Sequence, residues 1–203
     1  MVRVLIVAKT RMANGICIGG LTREENNNVR LILADRRNHP ADTRFEIGQV
    51  WDLDIHPSPE ITPPHVEDVI VTRERYVAQV SNMLETLRGR VKAWQGDPEQ
   101  LFDGFLTFSE NGKGYISKLK GLPKVSTGYW LSNKPLDKIT LYNKTNYLYN
   151  SQSGRFTIAY VGIAPAIDQI PPATLIRVSL ARWWAGDGTN IEKCYLQLSG
   201  WYL

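Results

Sequence analysis

The 203-residue chain carries 24 Lys and Arg against 20 Asp and Glu, with 43% hydrophobic and 22% charged residues, a globular balance that excludes wholesale disorder. No apolar run approaches the roughly 20 residues that cross a bilayer, and the run in "MVRVLIVAKTR" is too short for the core of a secretion signal. Cys17 and Cys194 form neither a CxxC pair nor a disulfide framework, so a cytoplasmic protein with no membrane partner is expected.

Strand signals fill the first third. "VRVLIVAK" (2–9), "GICIGGL" (15–21) and "NVRLILA" (28–34) are apolar or β-branched runs between polar, Gly- and Asn-rich turns. "GQVWDLDIH" (48–56) alternates, with Trp51, Leu53 and Ile55 on one face and Asp52, Asp54 and His56 on the other. A proline-rich loop leads to "HVEDVIVT" (65–72). Five short strands in succession predict a small barrel over 1–72.

Over 73–91 the period changes. Tyr76, Val77, Val80, Met83, Leu84, Leu87 and Val91 recur at three- and four-residue steps, with Glu74 early and Arg88 and Arg90 late, the charge placement a helix dipole favours. Pro98 predicts a second short helix over 98–103, so 73–103 reads as a helical connection between two β units. Strands return over 104–203: a hairpin around Asn111-Gly112, then "KITLYN" (138–143), "RFTIAYVGI" (155–163), "TLIRVSLARWW" (174–184) and "EKCYLQLSGWYL" (192–203), the last two flanking a hairpin-like turn "AGDGTN" (185–190).

Three motifs bear on chemistry. "GICIGGLT" nearly matches a phosphate-binding loop, but Leu21 stands where the lysine belongs and "REENNN" cannot continue as the required helix; a glycine-bent strand accounts for it. Asp52, Asp54 and His56, with His65 and Glu67 across the proline-rich loop, form a candidate divalent-metal set for phosphodiester hydrolysis. Residues two apart on a strand are about 6–7 Å apart, wide for one ion, and a solvated strand face is the simpler account. No hydrolase elbow or zincin motif is present, so a protein without catalysis and without a cofactor is expected.

The basic excess lies in the first and third quarters (+3 and +4), separated by an acidic second (−4), a distribution suited to meeting polyanions. Residues 101–150 interleave Lys113, Lys118, Lys120, Lys124, Lys134, Lys138 and Lys144 with Phe108, Tyr115, Tyr129, Trp130, Tyr142, Tyr147 and Tyr149. Cations track phosphates and flat rings stack on bases, although most of these rings are expected in the core. In the C-terminal ribbon, alternation puts Cys194, Leu196 and Leu198 inward and Tyr195, Gln197, Ser199 and Trp201 outward. Before the turn it puts Trp184 inward with Leu180, and Trp183 outward.

"VAKTRMANGICIGGL", "PPHVEDV", "STGYW" and "SLARWW…CYLQLSGWY" resemble the prokaryotic dual OB domain-containing proteins, with the matching pieces spread over nearly the whole chain. The resemblance implies two OB-like antiparallel β-barrels in tandem and a nucleic-acid or nucleotide-binding role, in a bacterial conflict or mobile-element setting; it carries no catalytic residues. The expected architecture is therefore mainly β: barrels over 1–72 and 104–203 joined by a helical segment over 73–103. The expected nucleic-acid-binding residues are Lys9, Arg11 and Arg30 in the first barrel and Arg182, Trp183, Tyr195, Gln197 and Trp201 in the second. The alternatives are the metal-dependent hydrolase built on Asp52, Asp54, His56, His65 and Glu67, and an adaptor whose exposed rings meet a partner protein.

Overall fold

The computed structural model describes residues 1–186 and 191–203. It divides into two compact units, Met1–Val91 and Lys92–Leu203. The expected turn over 185–190 falls largely on residues 187–190, outside the described residues.

The first unit is a closed barrel. Strands β1 (Val2–Met12), β2 (Gly15–Thr22), β3 (Asn28–Ile32), β4 (Gln49–Pro57) and β5 (Asp68–Gln79) close in the order β1-β2-β3-β5-β4, with β3 and β5 parallel and the other pairs antiparallel. Val4, Ile6, Ile18, Val29, Leu31, Phe45, Trp51 and Leu53 fill its interior. Gly20 lies directly across from Ile6, where a Cβ would stand 2.5 Å from the Val4 side chain; the glycine lets two neighbouring strands close on the core. The near-match to a phosphate-binding loop is therefore an ordinary strand, β2.

A β-bulge at Val7 has consequences for the site. Ile6 pairs with Gly20 and Ala8 with Gly19, so Val7 is an extra residue and the inward-outward alternation of β1 inverts beyond it. Lys9 consequently stands opposite Ile18, on the side of the core.

The expected helical connection is absent. Residues 73–79 continue β5, which pairs with β4 from Gln49–Gln79 down to Pro57–Val69. Cross-strand pairing over nine residues of β4 outweighs a helical period whose apolar members, Tyr76 and Val77, lie exposed. Helix remains only in α1 (Met83–Leu87), whose first turn is capped by Asn82, its Oδ1 accepting from the Glu85 amide at 3.0 Å. Pro98 opens a 3-10 segment, Pro98–Gly104, broken by non-helical residues at Leu101, Phe102 and Asp103.

The second unit is built on a sheet whose centre is β16 (Glu192–Tyr202). One side carries β12 (Arg155–Tyr160), β11 (Lys144–Asn150), β10 (Leu136–Leu141) and β13 (Gln169–Ile170). The other carries β14 (Leu175–Leu180), β9 (Thr127–Ser132) and β6 (Ala93–Gly96). The first part of β16 also pairs with β8 (Gly114–Ile116), itself paired with β7 (Thr107–Phe108), and with β15 (Trp184–Ala185). The expected hairpin at Asn111-Gly112 is the β7–β8 turn. Gly112 there has φ +70° and would set a Cβ 2.0 Å from the Arg155 carbonyl oxygen, which only glycine avoids.

The core of this unit gathers Leu101, Phe102, Ile116, Trp130, Tyr147, Tyr149, Ile158, Ile176, Val178, Cys194 and Leu198. Tyr129, Trp130, Tyr147 and Tyr149 are all buried, and Trp130 Nε1 donates to the Gly96 carbonyl at 2.9 Å. Burial supplies most of what these rings contribute, and the indole bond satisfies the one polar atom of Trp130. Among the described residues, no helix is long and apolar enough to cross a membrane.

Candidate nucleic-acid interface

The N-terminal half of β16 alternates as a half-buried strand should. Cys194 pairs with Ile116 of β8, and both are fully buried. Burial pushes the Cys194 thiol up to about 12, so it is no nucleophile at neutral pH. The neighbours Lys193 and Tyr195 take the other face. Tyr195 pairs with Tyr115 of β8, and Lys193 pairs with Trp184 of β15, so three strands contribute to one surface.

The rings on that surface touch one another. Tyr115 and Tyr195 have centroids 5.8 Å apart, and Trp184 and Tyr195 6.1 Å, each pair inclined by about 55°. Lys193 Nζ lies 4.6 Å from the Tyr115 centroid. Lys118 Nζ lies 5.0 Å from the Trp183 centroid and 2.9 Å from Glu192 Oε2. Trp184 is 52% exposed, Trp183 and Tyr195 are half-buried, and Arg182 is exposed beside them. A ring holds a cation through its quadrupole but carries no net charge. Lys193, which among the described residues has no ion pair, keeps its positive field. The arrangement offers flat apolar faces for stacking beside cations able to meet phosphate.

Of the five residues expected here, the structure brings four into one neighbourhood. Arg182 and Trp183 lead into Trp184, Tyr195 lies at the centre, and Gln197 continues the same face of β16 toward Ser179 and Ala159. Trp201 does not join them. Arg177 pairs with Gly200 and Val178 with Leu198, so Ser199 is an extra residue in β16; Ile176, buried in the core, then pairs with Trp201. The bulge turns the Trp201 indole onto Tyr147 and Tyr160, at 5.7 and 5.2 Å between centroids. Trp184 moves the opposite way. β14 ends with Leu180 opposite Leu196, and the next ladder pair is Trp184 with Lys193, three intervening residues against two on β16, so alternation does not carry across 181–183.

In the first unit the expected phosphate ligands are differently engaged. Lys9 is 4% exposed and its Nζ donates to Glu46 Oε1 at 2.6 Å. Arg30 is ion-paired with the buried Asp68. Arg30 stands opposite Gly19 and Lys9 opposite Ile18, so consecutive register positions send them to opposite faces of the sheet. Arg11 is exposed near the end of β1. The three do not form one surface.

The candidate metal set is not assembled. Asp52 accepts from Arg3 Nε at 2.8 Å and from Arg75 Nη2 at 2.6 Å. These hydrogen bonds hold its carboxyl down at about 2. Asp54 faces the Met1 ammonium at 3.3 Å, His56 is exposed, and His65 and Glu67 are buried. Among the described residues, no three His, Cys, Asp or Glu side chains gather where they could hold one ion. Two guanidiniums satisfy Asp52 more cheaply than desolvating a metal would.

Tyr115, Lys118 and Trp184 reach this surface from outside β16, whereas Lys193, not singled out in the sequence, shares the Tyr195 face by the same alternation. For Tyr115 and Lys118 the sequence signal is the mixture of lysine and aromatic residues over 101–150, and it does not say which of them β8 delivers to β16.

Among solved structures, the chain is similar to the p204 HINb domain, at 13% identity over 97% of this chain and 95% of that one, with a TM-score of 0.35. It is also similar to the tetrameric p202 HIN2, at 10% identity over 97% and 90%, TM-score 0.29. A third is a murine DNA binding protein bound with double-stranded DNA, at 8% identity over 97% of both chains, TM-score 0.30. No curated protein matches the sequence. The family model described as the dual OB-containing domain matches residues 2–201, nearly the whole chain, and the protein belongs to that family.

Proposed function

We propose that this protein is a nucleic-acid-binding module that holds a single strand on the surface formed by Tyr115, Trp183, Trp184 and Tyr195, with Arg182, Lys118, Lys193 and Gln197 beside the rings. One observation carries the reading: three aromatic side chains from three separate strands meet in a connected row on an accessible face, with an ammonium against the row. Each stacked base is worth roughly 1–3 kcal/mol, and stacking tolerates any sequence because every base has a flat face. Bases in a duplex already stack on one another, so a surface of this kind favours unpaired ones. Among the described residues Cys17 and Cys194 form no disulfide, which suits a cytoplasmic setting.

The test is fluorescence anisotropy of an end-labelled single-stranded oligonucleotide titrated with the full chain. Affinity of about micromolar or better, falling steeply between 50 and 200 mM salt as counterion release requires, supports the reading. Binding indifferent to salt, or a clear preference for duplex of the same sequence, refutes it.

A further inference from the structure

The barrel carries a second cationic feature that the aromatic surface does not use. Register places Arg3 of β1 directly opposite Asp52 of β4, and Asp52 directly opposite Arg75 of β5. Three charged side chains therefore cross the barrel wall in a row. Asp52 is the innermost, its side chain 9% exposed against 36% for Arg3 and 70% for Arg75. Its Oδ1 accepts from Arg3 Nε at 2.8 Å, and its Oδ2 accepts from Arg3 Nη2 at 3.3 Å and Arg75 Nη2 at 2.6 Å.

A guanidinium has five N–H donors. Asp52 takes two from Arg3 and one from Arg75, leaving the remainder of both forks oriented by the carboxylate yet unspent on it. Beyond them opens a cavity of about 570 Å³ whose lining also includes Arg23 and Glu24. The Arg23 amide donates to the Arg3 carbonyl at 2.8 Å, which ties the third arginine's backbone to the first. Among the described residues the Arg23 guanidinium makes no ion pair. Met1 completes the lining, its ammonium 3.3 Å from Asp54 Oδ1. The cavity thus sets three guanidiniums against two carboxylates, Glu24 and Asp52, the latter lying beneath the cations and consumed by them.

We propose that this cavity is a binding site for a phosphate monoester: the terminal phosphate of a nucleic-acid strand or that of a free mononucleotide. A monoester carries close to two negative charges near neutral pH and three unbridged oxygens, matching donors that converge from three elements. An internal phosphodiester has one charge and two such oxygens, and its chain must continue on both sides, which a concavity obstructs. Arginine forks prefer this geometry to a point cation's, and a buried carboxylate that fixes two of them removes part of the ordering cost of binding. The strand-end form rests on the nucleic-acid reading above; the mononucleotide form does not.

The experiment compares ligands differing only in the phosphate. Labelled oligonucleotides of one sequence, with hydroxyl at both ends, 5′-phosphate or 3′-phosphate, are titrated by anisotropy; adenosine 5′-monophosphate and adenosine are titrated by calorimetry. The variants are Arg23→Gln, which disturbs no ion pair, and Arg75→Gln. A gain of about tenfold from a terminal phosphate, reduced to less than twofold in Arg23→Gln, supports the site. A gain with the oligonucleotide alone assigns it to strand ends, and a gain of adenosine monophosphate over adenosine assigns it to free nucleotide. Trp184→Ala should weaken all oligonucleotides alike and leave the phosphate gain intact, so failure of the aromatic surface is distinguishable from failure of this cavity. Less than a twofold phosphate gain in both ligand sets, or a full gain surviving Arg23→Gln, overturns the proposal.

Discussion

The two units treat their cations in opposite ways. In the barrel Lys9, Arg30, Arg3 and Arg75 are each held by a carboxylate, whereas on β16 Lys193 lies over the Tyr115 ring; Lys118, over Trp183, is shared between that ring and Glu192. A carboxylate cancels most of the field of the charge it holds; a ring positions a cation and leaves its field standing. Counting lysines and arginines therefore overstates how attractive the first unit is to a polyanion, which it does not do at Lys193. Around Asp52, where one carboxylate serves two arginines, the barrel retains an excess.

The comparison can be broken or sharpened experimentally. The largest effect should come from the core: Trp130→Ala, at a fully buried site with its indole bonded to Gly96, should cost about 3–5 kcal/mol in urea denaturation. Next, Trp184→Ala should lower oligonucleotide affinity by roughly 1–3 kcal/mol and change stability by less than about 0.5 kcal/mol. Trp201→Ala should do the reverse, costing about 2 kcal/mol of stability through the lost contacts with Tyr147 and Tyr160. If the two tryptophans behave alike, the division between ring surface and core is wrong.

Smaller effects separate the cations. Lys193→Gln should flatten the slope of log affinity against log salt by about 0.7, one phosphate's share on a single strand, while Lys9→Met should leave the slope unchanged because Glu46 already holds that ammonium. The least conspicuous effect is a pH signature. The Asp52 carboxyl is depressed from 3.8 to about 2 in the folded state. Its pairing with Arg3 and Arg75 thus stabilises the fold fully above the ordinary carboxylate range and is lost as pH falls from about 4 toward 2. Asp52→Asn should remove that part of the acid dependence, read as the change in denaturation midpoint between pH 4 and pH 2.

The strands of the barrel were legible because each begins on an apolar or alternating run, and β1 to β4 and the first part of β5 fall on such runs. In β16 alternation assigns side chains to faces correctly up to the bulge and wrongly past it. Val7 put Lys9 toward the core, and Ser199 did the same to Trp201. One supernumerary residue inverts everything downstream, and no residue type at either position announces it. The region 73–79 failed for another reason. Its three-to-four spacing is a genuine helical pattern, but β4 lies beside it and satisfies its backbone as strand. The membership of the aromatic surface was half legible. Tyr195 and Gln197 follow from the local pattern of β16, whereas Tyr115 reaches it only through a pairing between remote segments, which periodicity cannot encode.

The central place of β16 bears on how the second unit comes together. Its sheet consists of two halves, β13-β10-β11-β12 and β14-β9-β6, and β16 is the seam between them. All of these strands precede it along the chain, so during synthesis β12 and β14 wait as open edges until the last of the sheet emerges. Open edges invite association with other chains. The interval before the seam closes is when a newly made copy is most exposed to aggregation, and variants that slow the docking of β16 should reduce soluble yield even where the finished protein is no less stable.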